Sequence, residues 1–200
     1  MSRPTRLSDL TGIADPASAP ATIRFPAMLV STFERLRRSS YPGGRSHERG
    51  GTIVANGDGE LSIQNEGGLR SSAGFFSPDR TLRDRTHFTL VGIFHTHPYD
   101  QREGSMNGVS FSGGDVEGMI NDGYPIDVVQ SGPRLFVTLR TARTPARAPA
   151  GLALRMNMEF DAQVSAGSTF QQASRIGVQT TAARLGMAYY QGRHGVVSRV

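Results

Sequence analysis

The sequence predicts an α/β fold with a mixed, mainly antiparallel curved sheet flanked by helices. Three observations favour it: an apolar pattern with helical spacing after Pro26, two pairs of short extended runs joined by turn residues, and an alternating β-rich run at 87–94 that precedes a short glycine-closed helix. A chain of 200 residues with 37% hydrophobic content is long enough for one ordinary domain with a core and an appended tail.

The N-terminal part divides into an arm and a helix. Residues 1–22 are rich in Pro, Ala, Ser and Thr without apolar periodicity, so we expect a flexible arm, because ordering it would cost backbone entropy with little burial in return. Pro26 suits a first helical turn, and the helix is expected to end near Ser40. The apolar residues that recur at helical spacing are Met28, Leu29, Phe33 and Leu36.

The middle of the chain alternates strands with turns. Asn56-Gly57-Asp58-Gly59 and Ser131-Gly132-Pro133 are turn sequences whose flanking runs predict two hairpins. The run from His87 to Phe94 alternates and predicts a central strand. Ser112 suits the N-cap of a short helix that Gly123 closes. The strands of the hairpins are expected at 52–55, 60–64, 126–129 and 135–139.

The C-terminal part reads as a linker followed by helices. Residues 141–150 (TARTPARAPA) predict the linker, and the Ala-, Gln- and Met-rich tail from 152 to about 190 predicts one or two helices. We therefore expect an arm at 1–22, the domain that carries the chemistry at 23–145, and a helical extension at 146–200.

Composition narrows both the chemistry and the location. Cysteine is absent, which excludes disulfides, thiolate zinc sites and a cysteine nucleophile, so any metal must be held by His, Asp or Glu. No apolar run reaches the roughly 18 residues of a membrane helix, and the N-terminus lacks the apolar core of a secretory signal. We expect no membrane association and a cytoplasmic location, or export without a cleavable signal peptide.

The charge is strongly basic but dispersed. A formal charge of +5 and a pI near 10.4 would suit an acidic partner, yet the arginines are scattered rather than grouped with aromatics, which argues against nucleic acid. All 22 basic residues are arginine. A GC-rich genome would explain that bias; alternatively, a protein working among lysine-modifying enzymes benefits from presenting no ε-amine.

Two histidines follow the predicted central strand directly. Side chains two residues apart on an extended segment share a face, so His95 and His97 can offer imidazoles to one ion. Asp115 would complete a three-ligand set that leaves a fourth position for water. Ser112 would donate to an oxyanion, or serve only as a helix cap. Glu48 precedes two glycines at a strand entry and is the candidate general base.

These segments resemble a known signature. An upstream Glu before Gly-Gly, then His-Thr-His-Pro after a strand, then Ser-Gly-Gly-Asp opening a helix, resemble the JAMM motif of the JAB/MPN metalloprotease superfamily over about residues 26–139. The resemblance implies an MPN/JAB-like fold and a Zn²⁺ ion ligated by His95, His97 and Asp115. It also implies that Glu48 activates the zinc-bound water and that Ser112 stabilises the tetrahedral intermediate.

The chain departs from the family pattern at residues 98–111, which are more numerous than the segment usually found between the second histidine and the serine. We expect the extra residues to shape substrate entry. Asp100, Glu103 and Asp122 are the fallback carboxylates if Asp115 is not a ligand. The remaining histidines, His47, His87 and His194, are expected to lie outside the site.

The resemblance implies a zinc metallopeptidase or isopeptidase that acts on peptides, cell-wall peptides or ubiquitin-like conjugates. Domains of this kind in bacteria further imply a secreted effector or toxin, with a cognate immunity or regulatory protein as partner. Two other classes stay open: a non-catalytic MPN scaffold that binds a partner, and a metal-dependent nuclease that uses the same two-histidine, one-carboxylate set.

Overall fold

The fold is known from a computed structural model that describes residues 3–82, 84–99 and 107–200. The described part forms strands and α-helices in this order: β1 (Thr22–Arg24), α1 (Ala27–Arg38), β2 (Gly50–Ala55), β3 (Leu61–Gln64), β4 (Arg70–Ser72), β5 (Phe75–Ser77), β6 (Thr89–Thr96), α2 (Gly113–Asp122), β7 (Ile126–Ser131), β8 (Arg134–Leu139), α3 (Leu152–Ser165), α4 (Phe170–Arg184), β9 (Ala188–Arg193) and β10 (Val196–Arg199). Short 3-10 turns lie at Leu7–Asp9, Pro16–Ser18 and Pro42–Gly44.

Eight strands form one sheet in the order β1-β10-β9-β8-β7-β6-β2-β3, and β4 pairs with β5 in a separate hairpin. Neighbours in the large sheet are antiparallel except β6 and β7, which are parallel. A parallel pair needs a crossover connection, and α2 lies on the connection between them. The α/β class with a mixed, mainly antiparallel sheet is confirmed.

The period-two alternation of the strands separates two apolar cores. Phe94 and Val128 face the side covered by α1, where Phe33 stacks on Phe94 with ring centroids 4.1 Å apart. Val129 and Tyr189 face the opposite side, which α2, α3 and α4 cover. The predicted first helix, the two hairpins, the central strand and the C-terminal helices are all present, and Ser112 and Gly123 are the observed caps of α2.

Residues 3–22 differ from the arm expected to bury little. Leu10 is fully buried and Ala19 nearly so, both in the core on the α1 side. The segment is also tied by backbone, since the Thr5 amide donates to the Arg24 carbonyl at 2.8 Å. Composition averaged over the segment did not predict this, because a few apolar residues without periodicity are enough to anchor it.

The tail also differs from the helical extension expected at 146–200. After α4 the chain returns to the sheet: β9 pairs with β8, and β10 pairs with both β9 and β1. The packing therefore does not divide at 145/146, since Tyr190 of β9 is buried in the main core.

None of the described helices is long and apolar enough to cross a membrane.

Candidate metal centre

The parallel β6-α2-β7 unit delivers the three predicted ligands to one place. His95 lies near the end of β6, His97 lies just past it, and Asp115 lies in the first turn of α2. Thr96, between the histidines, has the opposite orientation, and its hydroxyl accepts a hydrogen bond from the Arg49 amide at 2.9 Å. The alternation of an extended chain therefore places both imidazoles on one side, as predicted.

The side-chain donor atoms converge. Nε2 of His95 and Nε2 of His97 are 3.1 Å apart, and each lies close to one Asp115 oxygen, at 3.3 Å for His95 and 3.4 Å for His97. Both imidazoles are buried, whereas the Asp115 side chain keeps 21% exposure. Within the described residues, these three side chains form a group that could hold a metal ion.

Neighbouring groups orient two of the three ligands. Nδ1 of His97 lies 2.9 Å from the Ser110 carbonyl oxygen, which can only accept, so Nδ1 carries the proton and Nε2 keeps its lone pair. The Ser112 amide donates to Asp115 Oδ2 at 2.7 Å, while the Ser112 hydroxyl accepts from the Asp115 amide at 3.2 Å. This reciprocal capping box fixes the Asp115 carboxylate at the helix start.

Electrostatics couple His95 to Asp115 strongly. Burial opposes the charged form of His95, but the surrounding carboxylates, with Asp115 contributing most, together outweigh burial and raise the pKa of His95 to about 9. Burial likewise opposes ionisation of Asp115, but the two histidines hold the pKa of that carboxyl well below its usual range. Without a cation, the cluster therefore holds a proton between the donors, and a bound cation would take its place.

Glu48 lies beside the ligand group without belonging to it. Its Oε1 is 4.0 Å from His97 Nε2, and its side chain is almost fully buried. Burial raises the pKa of Glu48, although the two histidines oppose that shift. The Glu48 amide donates to the Ser72 carbonyl of β4 at 2.7 Å, which ties the segment around Glu48 to the β4-β5 hairpin.

Gly50 explains how Glu48 comes so close to β6. A Cβ at this position would lie 2.2 Å from the Phe94 carbonyl oxygen and 2.7 Å from the ring of Phe76. Only glycine allows the two strands and the ring to meet there. Phe76 in turn lies over His95, with ring centroids 6.3 Å apart and planes 9° apart. The β4-β5 hairpin, which the sequence did not predict, thus forms a wall over the ligands.

The ligands open into a cavity of about 450 Å³. Its lining includes Asp127 of β7, which sequence reasoning missed. Asp127 is buried, and burial raises its pKa to about 8, against the pull of His95. A signal existed, because an aspartate inside the apolar run from Ile126 to Val129 is rarely buried without a reason. Phe76 gave no comparable signal, since an aromatic residue is ordinary in a strand.

The remaining histidines and the fallback carboxylate Asp122 do not belong to the ligand group. His47 bonds to the Ser71 hydroxyl at 2.6 Å, and exposed His87 pairs with Asp84. Asp122 lines the cavity but forms an ion pair with Arg80. His194 occupies the turn between β9 and β10 with a positive φ. The fallback carboxylates Asp100 and Glu103 lie outside the described residues.

Fold and site together define an α/β protein with a candidate two-histidine, one-aspartate metal centre beside a buried glutamate. The chain has no significant match to a protein-family model, to a curated protein or to a solved structure.

Proposed function

We propose that the chain is a zinc-dependent metallopeptidase or isopeptidase of the JAB/MPN type that hydrolyses an amide bond. The observation that carries this proposal is the convergence of His95, His97 and Asp115, with Glu48 next to them but outside the ligand group. Three protein ligands and one open position are typical of catalytic rather than structural zinc sites. The nearby glutamate has the position that a general base requires.

The donor separations support zinc. Ligands held about 2.0–2.2 Å from a tetrahedral zinc stand roughly 3.3–3.6 Å from one another. The imidazole nitrogens of His95 and His97 are 3.1 Å apart, and they lie 3.3 and 3.4 Å from different oxygens of Asp115. One ligand atom from each residue lies within 4.8 Å of the other two, so a tetrahedral set around one Asp115 oxygen needs a small movement of that carboxylate. The ligand types also suit zinc, because two imidazoles and one carboxylate, without thiolates, occur in hydrolytic sites.

Each nearby residue has a defined task in this proposal. When bound, zinc supplies Lewis acidity, which lowers the pKa of water to about 7 and polarises a carbonyl group. Glu48 accepts the proton of the attacking water and hands it to the leaving amine, and its raised pKa makes it a better proton carrier near neutral pH. The Ser112 hydroxyl accepts from the Asp115 amide and still has its own proton to donate to an oxyanion.

The cavity beside the ligands suits a substrate chain rather than a lone water. Its volume of about 450 Å³ and its mixed apolar and charged lining leave room for several substrate atoms at once. Phe76 limits water access on the hairpin side by covering His95. Peptide, cell-wall peptide and ubiquitin-like conjugates remain the substrate classes that we propose. A role as an exported effector or toxin with a cognate immunity protein stays a prediction.

The test compares wild type with Glu48→Gln. Both proteins are assayed for bound zinc and for cleavage of peptides, isopeptide-linked conjugates and cell-wall peptides, with His87→Ala as a surface-histidine control. We expect one zinc per chain in all three proteins and a loss of turnover of about 10²–10⁴-fold in Glu48→Gln alone. Zinc without any amide cleavage would favour the binding-scaffold alternative. Cleavage of nucleic acid that needs Glu48 would favour the nuclease alternative.

A further inference from the structure

A second cavity of about 160 Å³ adjoins the ligand group. It lies between residues 109–113 and the helical pair α3 and α4. It shares His97, Tyr99 and Ser112 with the larger cavity, whereas Glu48 lines only the larger one. The two cavities therefore meet at His97 and Ser112, next to the candidate ligand group.

The walls of this cavity are mainly apolar. The rings of Phe160 and Phe170 pack edge to face at 4.5 Å, and Tyr99 approaches Phe170 at 6.5 Å. The other large apolar residues that line it are Val109, Phe111, Met156 and Val178. Such walls favour an apolar occupant, because each square ångström of apolar surface removed from water contributes about 25 cal/mol.

The two buried serines of the lining, Ser110 and Ser174, have hydrogen-bond partners within the protein, and Asn157, which also lines the cavity, is exposed. The Ser110 amide donates to the Ser174 hydroxyl at 2.9 Å, and the Ser110 hydroxyl bonds to the Tyr189 hydroxyl at 2.8 Å. These serines need no hydrogen bond from an occupant. Specificity in the cavity therefore comes from shape and apolar contact.

Gly177 of α4 lines this cavity and leaves open space where a side chain would stand. It is buried, yet a Cβ built there would meet nothing within 4 Å. A glycine inside a helix costs about 1 kcal/mol relative to alanine, so its presence is unfavourable for the helix alone. The cavity volume of about 160 Å³ is large enough for one apolar side chain, because a dry apolar cavity of roughly 150 Å³ accommodates a benzene ring.

We propose that this cavity binds one apolar side chain of the peptide substrate, aromatic or branched aliphatic, close to the bond that is cleaved. This proposal rests on the proposed function and states which substrate side chain the peptidase prefers. The helical pair α3-α4, which the family resemblance does not cover, thereby becomes part of substrate recognition. The occupant belongs to the substrate because His97 and Ser112 of the candidate site line this cavity as well as the larger one.

The test measures binding in the zinc-loaded Glu48→Gln protein, where substrate persists. Short Ala/Gly peptides that carry one Phe at successive positions are titrated by calorimetry, together with the all-Ala/Gly peptide. One Phe position should bind about 10- to 100-fold more tightly, since burying such a side chain contributes roughly 1.5–3 kcal/mol. Equal affinities for all the peptides would overturn the proposal.

Filling the cavity provides the matched comparison. Adding Gly177→Leu should abolish the Phe preference, while Gly177→Ala should keep most of it, and both should melt no lower than the parent because helix propensity rises. Gly177→Met is a more flexible filler should the branched side chain perturb the helix. A Phe preference that survives every filled cavity would refute the assignment.

Turnover by the wild-type protein separates this proposal from the proposed function. Apolar-selective binding without any cleavage would contradict the peptidase and leave the cavity assignment supported. Cleavage of peptides without side-chain preference would contradict the cavity assignment and support the peptidase.

Discussion

Zinc bound by Asp115 and the two histidines should raise the melting temperature of the protein. A ligand that binds only the folded state at about 1,000 times its dissociation constant contributes about 4 kcal/mol. For a chain of 150–250 residues, each kcal/mol moves the melting temperature by about 2–4 °C. Chelator-treated wild type should therefore melt about 8–16 °C higher once zinc is added.

Asp115→Ala should nearly eliminate that zinc response. Only His95 and His97 remain as donors, where a catalytic zinc takes three protein ligands. The metal-free variant should also melt below metal-free wild type, because the hydrogen bond from the Ser112 amide to the Asp115 carboxylate and the ion pair with the histidines both disappear. The loss of that hydrogen bond alone costs about 1 kcal/mol, while the Ser112 hydroxyl keeps its bond from the backbone amide of residue 115.

A control variant is available in the same helix, α2. Asp122→Ala removes a carboxylate that lines the same cavity but pairs with Arg80, so its zinc response should match wild type. Melting is followed by circular dichroism at fixed zinc excess, and bound metal is measured in parallel. Equal zinc shifts in Asp115→Ala and wild type, or no shift in wild type, would refute the ligand assignment.

Three further predictions concern pH, packing and the N-terminal segment. The pKa of Asp127 is raised to about 8 in the folded state, so its neutral form is favoured and its contribution to stability is lost as pH rises through that value. Asp127→Asn should therefore remove part of the fall in melting temperature of metal-free protein between about pH 5 and 8, the range between the ordinary pKa of a carboxyl and that of Asp127 in the folded protein. Gly50→Ala should destabilise the protein by several kcal/mol in chemical denaturation, because the new Cβ meets the Phe94 carbonyl, whereas Gly57→Ala, with open space at its Cβ, should change stability by less than about 1 kcal/mol. Leu10→Ala should lower the free energy of unfolding by about 2–5 kcal/mol, as expected for a core leucine. A loss below about 0.5 kcal/mol would instead indicate that the N-terminal segment is a flexible arm.

Local spacing predicted much of the candidate site. The His-x-His pair needs only the two-residue alternation of a strand, and the Ser112 cap needs only a three-residue offset to Asp115. The approach of Glu48 to this group depends on the pairing of β2 with β6, which places Gly50 opposite His95. No local pattern specifies such a register, so the two glycines after Glu48 marked it as a candidate, and the resemblance supported its placement beside the ligands.

The missed parts are those that depend on long-range pairing. β9 and β10 are short and partly polar, and the Ala-rich stretch before them favoured helix. Their signals were Tyr189-Tyr190, which favour strands, and the turn at His194-Gly195. The β4-β5 hairpin consists of two strands of three residues each, too few for a period to be read.

The edge strand β1 has β10 as its one hydrogen-bonded neighbour in the sheet, with Thr22 opposite Ser198. A ribosome at about 5–20 residues per second must therefore make nearly everything in between before β1 can find its place. Contacts so distant along the chain slow folding, and the nascent N-terminal segment must wait as an unpaired strand. Proteases or chaperones present during synthesis would have access to β1 until β10 has been made.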